Sequence, residues 1–492
     1  MAAILTLALG IGANTAIFSV ADAVLLRPLP YPDSGRLVVV WNELSKIGVR
    51  HMGLSATDFG AFRADKRVFE MAAAFKEEDR NVVTRGGAGR AVTLSSTRGL
   101  LEMLGARAAM GRLFTADEWH PDRDQVVIIS HELFVKRFAA DPAVVGQSIL
   151  FDQRAYTLVG VLAADFKFSL GAGDVDAWTP LPPVDDIRRA QFQMLARLSP
   201  GVSMQSAQAY VAATAARLKR TVHPYEGPNG EDGGYRASAV SLHDQLMHDF
   251  RTGTLILMSA AALVLLIACV NVANLLLART AAREKEVAIR RGLGASRPRL
   301  IRQWLTEAGL LALLGGSCGF AASVWGIEIL KAISPAELPG IARVGINGRA
   351  LLFTFAISAI TCLLFSLAPT LSAVQMTGAL RGPGRRRRMS SLLIAAEAAV
   401  TLVLLVGSGL LLKSFMELKS IDTGVRTGHV LIMRVELSGA RYEKPRDRIH
   451  FFSELETRLA RSPGVISVGA TDRLPVFTAG VDTRSGNPFS LD

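Results

Sequence analysis

Five long apolar segments limit what this 492-residue chain can fold into. They run over 1–26, 252–277, 304–330, 351–374 and 392–412, and each is long enough to cross a bilayer as a helix. The first lacks the basic start of a secretory signal and is longer than its usual apolar part, so we interpret it as a membrane helix; a cleaved signal peptide is the alternative. The sequence therefore predicts a membrane protein with an α-helical transmembrane bundle.

A region without long apolar runs, 36–250, separates the first span from the second. Strand-length β-branched segments at 36–41, 125–130 and 156–162 alternate there with helical ones. We expect strand, turn and amphipathic helix from Leu195 to Arg220, and a returning strand from Tyr235 to Leu242. The region is predicted to be an α+β domain, and it has no disulfide because Cys269, Cys318 and Cys362 all lie in apolar segments.

The net charge of +12 comes mostly from two short loops. The first carries Arg279, Arg283, Lys285, Arg290, Arg291, Arg297, Arg299 and Arg302 against Glu284 and Glu286. The second is the run of Arg381 and Arg385 to Arg388. Short basic loops beside spans stay in the cytoplasm, so both loops should face inward and the α+β domain outward. Anionic lipid headgroups, not nucleic acid, are the expected partner of this charge.

The first basic loop, residues 278–303, has the pattern of a helical hairpin, which we call the connector. Strong helix formers extend to Arg291, and Gly292 and Gly294 are suited to end that helix. Ser296 can cap a second helix, whose apolar face begins with Leu300, Ile301, Trp304 and Leu305. That face is expected to anchor the hairpin at the membrane surface. A loop that only fixes orientation is the alternative.

The residues of the connector carry a family resemblance. The segment E-x-E-V-A-I-R-R-G-L-G-A-S-R, from Glu284 to Arg297, with L-I-R-Q-W-L-T-E-A from Leu300, resembles the cytoplasmic coupling segment of ABC transporter permeases of the MacB and FtsX type. Residues His131 to Phe168 resemble the middle of the MacB periplasmic core domain, with Gly146 and Gly160 at turns. The first span is similar to that of duplicated MacB-like permeases of acidobacterial type.

The resemblance implies partners and roles. In that family the coupling segment docks on an ATPase subunit, so Glu284, Glu286, Val287, Arg290, Arg291, Gly292 and Gly294 are the residues expected to shape and dock the connector. An ABC ATPase, the lipid bilayer and a homodimer or a pseudo-dimer through a second repeat are the implied partners. The expected location is the bacterial inner membrane.

The domain organisation follows from these segments. We expect a first transmembrane helix at 1–26, an extracytoplasmic MacB-like core domain at 36–250 and an FtsX-like permease domain with three spans at 251–380. A basic linker at 381–391, a fifth span at 392–414 and the start of a second extracytoplasmic domain at 415–492 would follow. This order fits a fragment, or a truncated product, of a duplicated permease.

No residue pattern indicates catalysis, a cofactor or a metal. The sequence lacks any Gly-Lys dipeptide and therefore the phosphate-binding P-loop, so the ATPase is expected on a separate chain. Gly315-Gly316-Ser317-Cys318-Gly319 matches the G-x-S-x-G of hydrolases, but in an apolar span it favours close packing of helices. His131-Glu132 lacks the second histidine of a helical zinc site.

Four polar residues in or near the spans are candidates for function: Asp22, Glu397, Asn271 and Asn274. A structural role explains them more simply than a substrate site does, since Asp22 is near the outer end of its helix, Glu397 can satisfy a polar neighbour, and the two asparagines can join helices. The function predicted from these observations is a permease subunit that transmits the work of ATP hydrolysis across the membrane for export or envelope remodelling. The alternative is an ATP-independent transmembrane sensor.

Overall fold

The structure, a computed structural model of the chain, describes residues 1–46, 48–84, 87–152, 154–169, 174–182, 192–221, 232–282, 297–333, 345, 347–375, 384–420, 430–431, 433, 435, 437, 442 and 444–470. The chain divides into two compact units. The helical unit comprises Met1–Arg27 and Met247–Ile421, and the sheet unit comprises Pro28–Leu246 and Asp422–Asp492.

The helices follow the predicted apolar and amphipathic segments. In chain order they are α1 (Ala2–Ala21), α2 (Ala56–Phe62), α3 (Leu100–Met103), α4 (His131–Phe138), α5 (Met204–Thr221), α6 (Leu242–Ala282), α7 (Arg297–Ile333), α8 (Gly348–Gln375), α9 (Gly384–Ser420) and α10 (Pro445–Ala460). A π-helical turn, Asp22–Leu26, follows α1. Helix α6 begins ten residues ahead of the predicted span, directly after the last strand, because Ser241 caps it by accepting a hydrogen bond from Asp244 N.

Four of the described helices are long and apolar enough to cross a membrane. The qualifying stretches are Ala2–Ala21, Phe250–Leu275, Thr306–Ile329 and Glu397–Glu417. The segment predicted at 351–374 lies in α8, where the described side chains give a shorter apolar stretch, Gly348–Leu363. All five predicted spans thus fall within helices.

One face of helix α1 is packed against other helices of the helical unit. Leu7 and Ile11 are fully buried and pack with Leu265, Cys269 and Val272 of α6. Leu311 of α7 and Ile357 of α8 cover the same cluster. Helix α1 therefore contacts three other helices of the unit.

One hydrogen-bonded sheet of eleven described strands organises the sheet unit. The strands are β1 (Leu37–Leu44), β2 (Val49–Met52), β3 (Phe69–Thr84), β4 (Gly87–Ser96), β5 (Ala108–Gly111), β6 (Val126–Ile129), β7 (Ser148–Phe151), β8 (Arg154–Leu162), β9 (Ala177–Pro180), β10 (Gln193–Leu198) and β11 (Tyr235–Ser241). Their order is β11-β1-β10-β3-β4-β9-β6-β8-β5. Strand β2 pairs with β1 at one end.

Six of these strands close into a ring. The long strand β3 pairs with β4, β4 with β9, β9 with β6, β6 with β8, β8 with β7, and β7 returns to β3. Successive side chains of a strand point to opposite faces of the sheet, so every second side chain of these strands points into the ring. The interior holds Val82, Ile129, Phe151 and Leu158, and Phe134 of α4 packs against them.

A second core lies on the other half of the sheet. Strands β1, β10 and β11 cover one side of it with Val40, Met194 and Ala239, which are fully buried. Helix α5 supplies Ala207 and Val211 at helical spacing. The amphipathic pattern predicted for Leu195 to Arg220 is confirmed, since β10 and α5 occupy that range.

A buried polar network joins β1, α2 and β11 within this second core. Asn42 Nδ2 donates to Asp58 Oδ2 at 2.9 Å, and Tyr235 Oη donates to Asn42 Oδ1 at 3.0 Å. Ser55 and Asp58 form a capping box at the start of α2. Each buried polar group therefore gains partners that replace water.

The strands predicted at 36–41, 125–130, 156–162 and 235–242 are confirmed as β1, β6, β8 and β11. The turn predicted at Gly146 is confirmed by its φ of 90°. The turn predicted at Gly160 is wrong, because Gly160 lies inside β8. There a Cβ would lie 2.2 Å from the carbonyl oxygen of Arg112, so glycine is needed for a close backbone approach.

The predicted fold class is confirmed: a bundle of apolar helices with an inserted α+β domain. The second extracytoplasmic domain predicted at 415–492 is represented by α10 and short neighbouring pieces, and 471–492 lies outside the described residues. That domain therefore stays a prediction.

Candidate functional site

The predicted docking residues of the connector lie outside the described residues. These are Glu284, Glu286, Val287, Arg290, Arg291, Gly292 and Gly294. The described helices on either side are α6, which runs to Ala282, and α7, which begins at Arg297. Ser296, the predicted cap of the second helix, also lies outside the described residues, and Pro298 is the second residue of α7, a position that suits proline.

The predicted surface anchor falls inside α7. Leu300, Ile301, Trp304 and Leu305 all belong to its first turns, and the apolar stretch of the same helix starts at Thr306. The backbone is helical through all four residues. Their role as an anchor stays a prediction.

Glycines bring α7 into backbone contact with α1. A Cβ on Gly319 would lie 2.8 Å from Ala8 O and 3.0 Å from Gly12 N, and a Cβ on Gly315 would lie 2.6 Å from Leu7 Cβ. We call this contact the glycine seam. Small residues four positions apart let two helices approach closely in a membrane, where van der Waals packing supplies much of the free energy of helix association.

The role predicted for Gly315 and Gly319, close helix packing, is confirmed. Ser317 lies between them in the middle of α7, and its side chain is exposed on the surface of the described bundle. A hydrolase serine would instead follow a strand at a sharp turn. The G-x-S-x-G pattern here is therefore a packing motif.

Polar side chains of α1 join it to two more helices. Asn14 is buried, and its Nδ2 donates to Ala261 O of α6 at 2.7 Å and to Gly10 O at 2.8 Å. Thr15 Oγ1 lies 3.0 Å from Thr354 Oγ1 of α8. These bonds satisfy the polar groups inside the bundle, where water is excluded.

A charged cluster closes the outer end of α1, and we call it the Asp22 clasp. The Asp22 side chain is 1% exposed. It accepts hydrogen bonds from Arg27 Nε at 3.0 Å, Asn347 Nδ2 at 2.8 Å and Arg349 Nη1 at 3.2 Å. A buried carboxylate is stable only with such partners. The clasp thus fastens α1 to the start of α8.

The sequence indicates Asp22 as a candidate but does not indicate its partners. Asn347 and Arg349 lie 325 and 327 positions along the chain from Asp22, so no local pattern could pair them. The sequence favours a structural role for Asp22 over a substrate site, and its contacts with the start of α8 support that role. A contact between helices is predicted for Asn274, but its Oδ1 finds no hydrogen-bond donor among the described residues. Glu397 lies half-buried on α9.

His131 and Glu132 occupy the first turn of α4 in the sheet unit. Glu132 Oε1 accepts a hydrogen bond from Lys136 Nζ at 2.6 Å, and its Oε2 lies 3.8 Å from Lys167 Nζ. The carboxylate is therefore held by two ammonium groups. Glu132 and Lys136 thus form an ion pair one helical turn apart on the surface of α4.

Comparison with known proteins gives the family. Residues 1–214 match the MacB-like periplasmic core domain, and residues 258–378 match the FtsX-like permease C-terminal domain. The macrolide export ATP-binding/permease protein MacB of Neisseria gonorrhoeae is 28% identical over 224 residues, which are 45% of this chain and 33% of that protein. The pyoverdine export ATP-binding/permease protein PvdT of Pseudomonas aeruginosa is 26% identical over 56% of this chain and 39% of that protein.

A solved structure, the periplasmic region of MacB from Actinobacillus actinomycetemcomitans, aligns with 44% of this chain and 94% of its own length, at 15% identity and a TM-score of 0.33. The chain spans between 33% and 39% of the length of the two relatives above. The match to the periplasmic core domain covers α1 and most of the sheet unit, and the match to the permease domain covers most of α6, all of α7 and all of α8. The chain is a multi-pass membrane protein with an extracytoplasmic α+β domain, and it belongs to the MacB/FtsX-type ABC transporter permeases.

Proposed function

We propose that this permease works by mechanotransmission. An ABC ATPase moves the connector, and the transmembrane helices carry that motion to the extracytoplasmic domain for export or envelope remodelling. The observation that carries the proposal is the position of α1, which packs on α6, α7 and α8 and leads directly to the first residue of the sheet unit, Pro28. Motion of the helices beside the connector would therefore move α1.

Helix α6 supports the same proposal. It is one uninterrupted helix from Leu242, directly after β11, to Ala282, two residues before Glu284, the first predicted docking residue of the connector. Its 41 residues give a length of about 60 Å, roughly twice the thickness of the hydrocarbon core. A single helix of this length is suited to carry displacement from one side of a bilayer to the other.

The ATPase is proposed to be a separate chain, because these 492 residues contain no P-loop. The two relatives are each named for ATP binding and permease activity together, and most of their length lies outside the matched region. They are also named for export of macrolides and of pyoverdine, which makes export from the cell envelope the activity favoured here. The basic loops beside the spans support an inner-membrane location with the connector in the cytoplasm.

A homodimer, or a pseudo-dimer through a second repeat, is the proposed assembly. Helix α9 supports it, since no residue of its apolar stretch Glu397–Glu417 is fully buried among the described residues. Glu397 within that stretch would gain a polar partner from a second bundle.

The test compares the tagged full chain with its Val287→Asp variant, both purified from the membranes of their own host. We expect the unaltered chain to bring down a P-loop ATPase whose hydrolysis of ATP depends on the complex. Val287 is an apolar residue in a charged connector, so we expect its side chain to bind in a groove of the ATPase. An unpaired carboxylate there costs several kcal/mol, roughly, and lowers ATPase association by orders of magnitude.

Val287→Leu is the matched control, because it keeps an apolar side chain and should keep the ATPase. Membrane content of all three proteins should be equal, since the spans are unchanged. Normal ATPase association in Val287→Asp would mean that the connector only fixes orientation. If no nucleotide-binding subunit accompanies the unaltered chain, the sensor alternative replaces the proposal.

A further inference from the structure

The Asp22 clasp has features that close packing of helices does not require. Asp22 is the residue at which α1 changes to a π-helical turn, with Arg27 N donating to Asp22 O at 2.8 Å. A turn of this kind is rare and is often found at functional sites. Here it carries the side chain of Arg27 back over the Asp22 carboxylate.

Proline explains why the helix stops at this point. Pro28 restricts the residue before it to extended backbone, and Arg27 has φ −77° and ψ 132°. The first segment of the helical unit ends at Arg27, and the sheet unit begins at Pro28. The clasp therefore lies on the last residues of the helical unit before the chain enters the extracytoplasmic domain.

Asn347 fixes the other half of the clasp to the backbone of α8. Its Oδ1 accepts a hydrogen bond from Ala350 N at 2.8 Å, which caps the helix, while its Nδ2 donates to Asp22. Four residues inward on each helix, Phe18 and Phe353 stack with ring centroids 4.0 Å apart. The pairs Asp22 with Arg349, Phe18 with Phe353, and Thr15 with Thr354 thus follow one antiparallel line.

The distribution of charge and exposure in the clasp indicates that Asp22 can be neutralised without unfolding the helical unit. Asp22 is buried, whereas the side chains of Arg27 and Arg349 are 29% and 60% exposed. Neutralising Asp22 leaves two arginines that can turn to water, so no unpaired charge becomes buried. The packing along the glycine seam does not involve these groups.

We propose that Asp22 is a positioning residue: it holds the outer end of α1 on the start of α8, so that motion of the helices reaches the extracytoplasmic domain through α1. The inference rests on the proposed function. It assigns the transmission step to one buried carboxylate at the exit of the helical unit.

The experiment uses the complex of the full chain with the ATPase that co-purifies with it, in detergent, and follows limited proteolysis of the extracytoplasmic domain with and without ATP. The unaltered complex should show an ATP-dependent change in the cleavage pattern. In Asp22→Asn we expect ATPase association and ATP hydrolysis to persist and the ATP-dependent change in cleavage to be lost. Asp22→Glu keeps the charge and should retain the change.

A cross-link tests whether holding the helices together is the whole role of Asp22. Phe18 and Phe353 are replaced by cysteine in a chain whose Cys269, Cys318 and Cys362 are alanine, and a short bifunctional thiol reagent joins them. In the Asp22→Asn background the cross-linked complex should regain the ATP-dependent change, and the uncross-linked one should not.

Persistence of the change in Asp22→Asn, or failure of the cross-link to restore it, overturns the inference and leaves the proposed function standing. A complex of the unaltered chain without any ATP-dependent change would remove the proposed function, and the inference with it.

Discussion

Gly12 of α1 and Gly319 of α7 bring their helices into backbone contact, because a Cβ on Gly12 would lie 2.8 Å from the carbonyl oxygen of Gly319. Both partners of this contact are backbone atoms, which cannot turn aside as a flexible side chain can. The seam therefore fixes the distance between the first span and α7, one of the two helices that flank the connector.

Replacing Gly319 by leucine should force α1 and α7 apart. The cost is about 3 kcal/mol, since overpacking a tight contact shifts backbone. Unfolding of the full chain by titration with a denaturing detergent, followed by circular dichroism, measures it. Gly326→Leu on the same helix is the control, because nothing lies within 4 Å of a Cβ there. Equal effects of the two substitutions would show that the seam is not a tight contact.

Removing the hydrogen bond from Asn14 to α6 should lower the stability of the chain by less than the change at Gly319 does. Asn14→Leu removes the donor to Ala261 O, and one such bond within a membrane bundle contributes about 1 kcal/mol. The same unfolding measurement applies. Ser259→Ala is the control, since the hydroxyl of the exposed Ser259 donates to Leu255 O of its own helix. A stability of Asn14→Leu equal to that of Ser259→Ala would contradict the contact.

Asp176 makes the stability of the extracytoplasmic domain depend on pH. Burial raises the pKa of Asp176, the nearby Glu132 and Asp174 raise it further, and the hydrogen bond from Val92 N and the charge of Lys136 oppose them without cancelling the shift. The folded state then binds a proton more tightly than the unfolded state. Stability should therefore fall as pH rises from the ordinary aspartate pKa through the raised one.

Asp176→Asn keeps an acceptor for Val92 N and removes the charge. We expect it to raise the melting temperature of the domain at neutral pH by a few degrees and to leave it unchanged at a pH below the ordinary aspartate pKa. Melting of the full chain across this pH range, followed by the near-ultraviolet signal of the tryptophans, is the measurement. A gain that is equal at both ends would mean that the carboxylate is not destabilised by burial.

Opposite faces of the membrane should be accessible at two chosen positions. A cysteine replacing the exposed Glu102 of α3 should react with an impermeant thiol reagent in intact spheroplasts. One replacing Ser296 in the basic connector should react only after permeabilisation, because short basic loops are retained in the cytoplasm. Both variants are made in the chain without its native cysteines. Reversed labelling would overturn the topology.

Local patterns in the sequence were sufficient for the individual elements. Apolar length predicted the spans, β-branched alternation predicted β1, β6 and β8, and helical spacing predicted α5, since each signal arises from residues within one element. The close packing of Gly315 and Gly319 was also predicted, because small residues four apart on a helix share one face. Gly160 is predicted in a turn from its local sequence, because the close approach of the Arg112 backbone, which explains this glycine, is a contact between different parts of the chain.

Relations between distant residues were decided by tertiary structure alone. The ring of strands depends on β3 pairing with β7, about seventy positions apart at Val82 and Phe151, and no periodicity within either strand encodes a partner. The sequence indicates Asp22 as a candidate, yet its role in joining α1 to α8 depends on hydrogen bonds from Asn347 and Arg349. The physical reason is that propensity and hydrophobic period act over a few residues, whereas the burial of a charge depends on every helix that packs around it.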